Sequence, residues 1–535
     1  MNVIRITGMV SGLDTDQLVK DLMRVERMRV DKLYQQRQTL EWQKEAYREI
    51  INKIRVFRDT YFDMLNPKTN LTSPTTLNKM AVTSSHPELA TVTAGPDTAQ
   101  GTSTFRIRQS ATAATAAAAA VTAGSESGSR LSLSDSLETV SSKLAAGSLA
   151  FDEHGEVTVT VNGTELTFSK NDTLRDVLAK ITGSGAGVFA SYSEFSDTIT
   201  LTARTTGEGY ITVGGQFWEA FGFTPDADGA VGESGRNAEF EIDGFFGSRP
   251  GNTFTIDGRT YTIKTQVDPE DESPVITLNV SVDTEAVYDV IAAFVNDYNE
   301  LIEQINGRLN EEFYRDFQPL TDEQKEAMTE KEIELWEEKA KSGLLRRDSA
   351  LSKMLQDLRQ VLYSAVDGLN LTQFGIETSR NWRDQGKLVL KNNGADLKAA
   401  IAANPDQVAD FFSKRSDIAY SATLTAEERA QRYAESGLAS RVSDILNDYI
   451  RTTRDKSGRK GILLEKAGIV GDITEFRNSY DERIAGLNKQ IARMNEMLLR
   501  KENQYYRQFS QMETALQSLY AQSTWLASMT QSQRY

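Results

Sequence analysis

A repeat of seven residues runs along both ends of this 535-residue chain and constrains its fold more than anything between them. Near the start, Leu33, Leu40, Tyr47, Ile54 and Tyr61 recur at that interval, and Ile50, Phe57 and Met64 fall three places after the last three. Near the other end Ile484, Ile491, Leu498, Tyr505, Met512, Leu519 and Leu526 repeat in the same way, accompanied by Leu487, Met494, Phe509 and Leu516. An apolar residue every seven, with a companion three or four away, makes a seam that a second helix must cover. A single stripe in water is not stable. The partner expected for each segment is the other end of the same chain, or the same segment of a neighbouring copy. Tyr47, Tyr61 and Tyr505 lie in the seam, and Gln36, Gln43 and Lys501 interrupt it. These residues weaken the packing, which suits helices that separate and re-form.

Local signals set the boundaries of the two helices. Gly8, Ser11 and Gly12 make the opening a poor helix, and Asp14 or Thr15 can cap a helix that begins beside them. The spacing predicts a helix with a break near Val30 that runs to about Leu65, where NPKTNLTSP stops it. About fifty helical residues span roughly 75 Å. The C-terminal helix is expected over 472–528, about 85 Å long. Similar lengths suit an antiparallel pair.

Between 66 and 283 the heptads give way to alternation rich in Thr, Ser, Gly and Val. KMAVTSS, LATVTAG, TSTFRIRQ, TITLTART and GYITVGG read as strands. EVTVTVNGTELTFS and GNTFTIDGRTYTIKT read as hairpins turning at Asn162-Gly163 and Asp257-Gly258. NDTLRDVLAKI is a short helix capped by Asn171 or Asp172. From 284 the helical period returns, with Val287, Val290, Ile291, Phe294, Tyr298, Leu301, Ile302 and Ile305 on one face. Beyond it lie a charged insert at 311–342, a helix pair split by Pro405 and a helix over 426–452.

The fold class expected is multidomain α+β: long N- and C-terminal coiled-coil helices forming a leg, a helical bundle domain, and inserted β-rich head subdomains. The expected divisions are 1–40, the N-terminal leg segment, and 41–65, a helix of the leg and bundle. Residues 66–125 with 236–283 form one β-rich head subdomain, and 126–235 an inserted outer one. Residues 284–465 form the helical bundle and 466–535 the C-terminal coiled-coil leg.

The residue content argues against catalysis. There are no cysteines, so disulfides, thiolate chemistry and Cys-ligated metals are excluded. The two histidines, His86 and His154, lie in polar turn-like contexts outside any nucleophile motif. GSGAG at 183–187 comes after a helix and before a strand, the reverse of a phosphate cradle. DADG at 226–229 lacks the spaced carboxylates of a Ca²⁺ loop, and DPEDES at 268–273 reads as a solvated acidic turn. No catalytic, cofactor-binding or metal site is therefore expected, and no enzyme activity. A formal charge of −16 argues against nucleic-acid binding. The longest apolar tract, at 111–121, is Ala/Thr and too weakly hydrophobic to insert into a membrane. The N-terminus lacks the pattern of a cleaved secretory signal.

SGLDTDQLVKDLMRVER, with LEWQKEAYREIINKIRVF after it, resembles the N-terminal signature of the bacterial flagellar filament cap proteins, the hook-associated protein 2 family. QFSQMETALQSLYAQSTWLASM resembles that family's closing segment. FTIDGRTYTIK, VTVNGTELTFSKNDTLRDVLAKI and NPDQVADFF are similar to stretches of flagellar axial proteins. The resemblance implies a homo-oligomeric ring at the distal filament tip, outside the cell, which promotes folding and insertion of flagellin and prevents its loss to the medium. It implies export through the flagellar type III apparatus without signal cleavage. The partners implied are flagellin, hook–filament junction proteins and an export chaperone. On this basis Leu18, Leu22, Val25, Leu519, Trp525 and Leu526 are expected to contact the filament. The alternative is a surface adhesin whose β-rich head binds host mucin or glycans.

Overall fold

The computed structural model describes residues 12, 14–122, 130–271 and 273–532. Gly8 and Ser11 lie outside them. The fold is a multidomain mixture of helix and sheet, in two compact units: Met1–Leu77 with Thr284–Tyr535, and Asn78–Asp283.

The first unit is helical. Its N-terminal helix, Thr15–Phe62, starts where the Asp14 carboxylate accepts the Gln17 amide at 2.9 Å. It is continuous through Val30, which is buried, so the expected break there is corrected. The helix ends before Leu65, and the chain folds back on its last turn. The Leu71 amide donates to the Tyr61 carbonyl, and the Thr69 hydroxyl to that of Thr60. Leu71 and Leu77 are buried, so 66–77 belongs to the helical unit although its composition resembles the β-rich region.

Helix Thr284–Asn310 buries its whole apolar face, and its Phe294 ring meets Phe57 and Tyr61 at 5.7 and 5.4 Å. Helices Ser349–Tyr363, Leu438–Ile450 and Ile462–Ala467 complete the bundle around the same core. The single helix expected over 426–452 is two, Ala426–Glu435 and Leu438–Ile450, divided at Gly437. A Cβ on Gly437 would lie 2.7 Å from the Phe412 carbonyl oxygen, so only glycine lets the chain pass there. The C-terminal helix spans Ser479–Ser532. Asp472 caps a short turn at Ile473–Glu475 ahead of it.

The second unit holds two cores. Strands Met80–Ser84, Ile276–Val282, Gly101–Gln109, Ala238–Ile242 and Phe245–Arg249 form an antiparallel sheet in that order. A three-stranded sheet, Thr253–Ile256, Arg259–Ile263 and Ala90–Ala94, shares its core through the stacked rings of Phe240, Phe254 and Tyr261. A seven-stranded sheet holds the other core, which runs from Ala114 to Val231. The Ala/Thr tract is a strand of that sheet, Ala113–Ala119, with Ala114, Ala116 and Ala118 turned inward. Its small side chains admit Gly232, where a Cβ would come within 2.1 Å of the Thr115 carbonyl oxygen.

Asn162-Gly163 and Asp257-Gly258 adopt the paired positive φ of tight hairpin turns, and so does Asp243-Gly244, a third hairpin. The helix expected after Asn171 is capped by Thr173, whose hydroxyl and Asp176 form a reciprocal box. The Asp226 carboxylate accepts the amides of Asp228 and Ala230, closing its loop on itself. Asp152 and Asp455 build the same loop, each with a glycine of positive φ three residues later.

The paired terminal helices as candidate assembly site

The two long helices run antiparallel, because contacts that move down one move up the other. Tyr47 meets Tyr480 with ring centroids 5.7 Å apart, and Lys44 Nζ lies 2.5 Å from Asp481. Further out, Arg37 reaches Asn488, Asn495 donates to the Tyr34 hydroxyl at 3.1 Å, and Lys501 pairs with Glu26. These contacts share one register between residues 26–47 and 480–501.

The seam lies beside them. On the C-terminal helix Ile491 is buried, while Ile484, Leu487, Met494, Leu498, Tyr505, Phe509, Met512 and Leu516 are half-buried. On the N-terminal helix Leu40 is buried, Leu33 is half-buried, and Thr15, Val19, Met23 and Val30 continue the line. Glu26 is also on this line, seven residues before Leu33, so the Lys501 interruption is answered by an opposite charge. Gln36 is exposed and off the seam, and Gln43 donates to the Leu344 carbonyl at 3.2 Å.

Tyr47, Ile54 and Tyr61 are fully buried at the bundle end of the helix. The Tyr61 hydroxyl donates to Asp297 at 2.6 Å. Lys466 Nζ donates to the Tyr47 hydroxyl at 2.8 Å and to the Asp348 carboxylate at 3.0 Å. The expectation that Tyr47 and Tyr61 loosen the pairing is therefore corrected: both are packed and hydrogen-bonded. Burial, then the Asp348 carboxylate, pushes the Tyr47 phenol far up, and the same two causes push Tyr480 up to about 12. Burial alone would raise Asp348, but hydrogen bonds from Tyr47, the Leu351 amide and Lys466 hold it below the ordinary carboxylate value.

The predicted contact residues are exposed on both helices. Leu18, Leu22 and Val25 are 37, 42 and 67% exposed, and Leu519, Trp525 and Leu526 are all more than half exposed. On a helix turning about 100° per residue, Leu18, Leu22 and Val25 share one flank. Asp31, Gln35, Gln38 and Trp42 face the opposite side, where the charged insert covers them. Composition alone could not show that division, since it depends on where the insert folds.

Among the described residues, no group of three or more Asp, Glu or His could hold a metal ion, and no helix is long and apolar enough to cross a membrane. His154 is exposed, and the His86 ring contacts the Ser85 hydroxyl at 2.9 Å.

Sequence models of flagellar hook-associated protein 2 match both halves of the chain, the N-terminal model over residues 11–114 and the C-terminal one over 235–521. The chain belongs to the flagellar hook-associated protein 2 family. A flagellar hook-associated protein 2 of Halalkalibacterium halodurans is 29% identical over 97% of this chain and 98% of its own. One from Thermotoga maritima is 28% identical, covering 70% of this chain and 54% of its own. The crystal structure of the flagellar cap protein FliD D1-D2-D3 domains from Escherichia coli is 18% identical, with a TM-score of 0.49, over 78% of this chain and 98% of that one. The family is a structural component of the flagellum and not a known enzyme family. The names of the two curated relatives give the adhesin alternative no support.

Proposed function

We propose that this chain caps the distal end of the flagellar filament, outside the cell, as a homo-oligomeric ring that promotes the folding and insertion of flagellin and prevents its loss. The observation that carries the reading is the open apolar flank of Leu18, Leu22 and Val25, on a leg whose root is firmly built into a bundle. Exposed leucines on a paired helix suit a third helix laid beside them, and flagellar axial proteins offer such helices. Leu18, Leu22, Val25, Leu519, Trp525 and Leu526 are the proposed filament contacts. Their interaction is non-covalent, so the leg can release and re-engage.

A ring whose repeat differs from the filament lattice cannot seat every leg equivalently. One leg at a time is then strained, and an opening for an incoming subunit lies beside it. Insertion of flagellin shifts the strain to the next position, and the ring steps around. Flagellin, hook–filament junction proteins, an export chaperone and the flagellar type III apparatus are the partners this reading requires, with export that leaves the N-terminus uncleaved.

The test is a deletion strain. Monomeric flagellin should accumulate in its medium, and the full chain should restore filaments. A variant lacking residues 1–25 should still oligomerise but fail to restore motility. Normal filaments in the deletion strain would sink the proposal.

A further inference from the structure

Residues 311–343 leave the bundle after Asn310 and return before helix Ser349–Tyr363. The excursion is a closed structure with its own small core. Glu311 accepts the Gly343 amide at 2.9 Å, and the Ser342 hydroxyl donates to the Glu312 carbonyl at 2.6 Å. Gly343, at φ +75°, passes so near Phe313 that a Cβ would lie 3.0 Å from its Cα. Thr321 and Thr329 each cap a helix with a reciprocal box, and Trp336 packs on Phe317 at 4.6 Å while donating to the Gln318 carbonyl.

This structure grips the N-terminal helix on the side away from Leu18, Leu22 and Val25. Lys341 lies 5.0 Å over the Trp42 ring, and Gln35 donates to the Pro319 carbonyl at 2.8 Å. Gln43 donates to the Leu344 carbonyl where the excursion rejoins the bundle. Arg27, Asp31, Tyr34 and Gln38 line a cavity with residues 319–323 and Lys325. The grip covers 27–43, roughly 24 Å of helix.

We propose that the 311–343 insert is a buttress for the root of the leg. A bare pair of helices bends by sliding along one seam. A third layer on the back of one helix must also be disrupted, so the pair resists bending where that layer lies. The root is stiff over the gripped span, 27–43, and flexing is confined to the part nearer the N-terminus.

The chain has no cysteine, so two thiol spin labels can be placed without background. Lys20→Cys and Lys53→Cys put them on exposed positions of one helix, about 50 Å apart. Replacing 315–341 by a short Gly/Ser linker in the full chain should at least double the width of the distance distribution. The gentler Gln35→Ala/Trp42→Ala variant, which keeps the insert, should widen it in the same direction. Hydrogen exchange should rise at least tenfold over 31–43 in the deletion and stay unchanged over 47–61. An unchanged width in both variants overturns the proposal, and so does exchange raised equally along 15–62. None of these readouts depends on filament binding, so they stand apart from the outcome of the flagellin test.

Discussion

Lys466 shows how a single residue joins leg to bundle. Its ammonium is shared between the Tyr47 hydroxyl and Asp348, and Asp348 also accepts the Ala350 and Leu351 amides at the start of its helix. Asp348→Ala therefore removes a helix cap and strands a partly buried cation, and should cost about 2–4 kcal/mol in a denaturant melt. The carboxyl is held below its unfolded value of roughly 3.9. Its contribution is then complete above that pH and is lost as pH falls through the lower folded value. Stability of the helical unit should be flat from neutrality to about pH 4 in this respect and fall below it. Asp348→Asn should reduce that acid-dependent loss, which melts at a series of pH values would measure. None of this is legible in the sequence. Lys466 and Asp348 are far apart in the chain, and neither sits in a motif.

At the scale of the element, the two sides of the leg separate stability from assembly. Ile491→Ala opens a cavity in the seam and should destabilise the pair by about 2–4 kcal/mol, seen as a lower melting point. Leu18→Ala, Leu22→Ala and Val25→Ala act on exposed positions, and each should shift stability by no more than about 0.5 kcal/mol. Combined, they should abolish restoration of motility while leaving the melt intact. The heptads made the pairing readable from the sequence, because a seven-residue interval is independent of what surrounds it. They did not reveal how burial changes along one helix. In the leg the companions lie four places on, at Met23 and Val30, whereas in the bundle Ala46, Ile50, Ile51 and Phe57 are buried as well. A helix with one neighbour hides a stripe; a helix with several hides most of its girth. The Asp243-Gly244 hairpin is hard to read from the sequence, because Phe245 and Phe246, both largely exposed, break the inward–outward alternation that marks a strand.

On the scale of the whole molecule, the helical unit has its own buried core and the β-rich unit holds two more. Each unit should unfold cooperatively by itself, so calorimetry of the intact chain should resolve at least two transitions. Asp348→Ala should lower the one that belongs to the helices and leave the other in place. The two-unit organisation was visible in the sequence as a change from period seven to period two and back. The return point at 284 was clear, since Val287 begins a strong helical face. The departure point was not, because the segment after Phe62 is polar and turn-rich wherever it packs.

The antiparallel register also sets an order of events. Glu26 and Lys501 are separated by 475 residues of chain, and Lys44 and Asp481 by 437. Contacts between such distant residues carry the greatest loop-closure entropy in the molecule, and they form slowly unless something shortens the search. The bundle does so: once Lys466 has found Tyr47, the intervening chain is folded away and Tyr480 is already beside its partner. Pairing then closes like a zip from root to tip, one turn at a time, and opens in the reverse direction. The last turns to close are those that hold Leu18 and Leu22, so the end proposed to meet the filament is also the end that opens most readily.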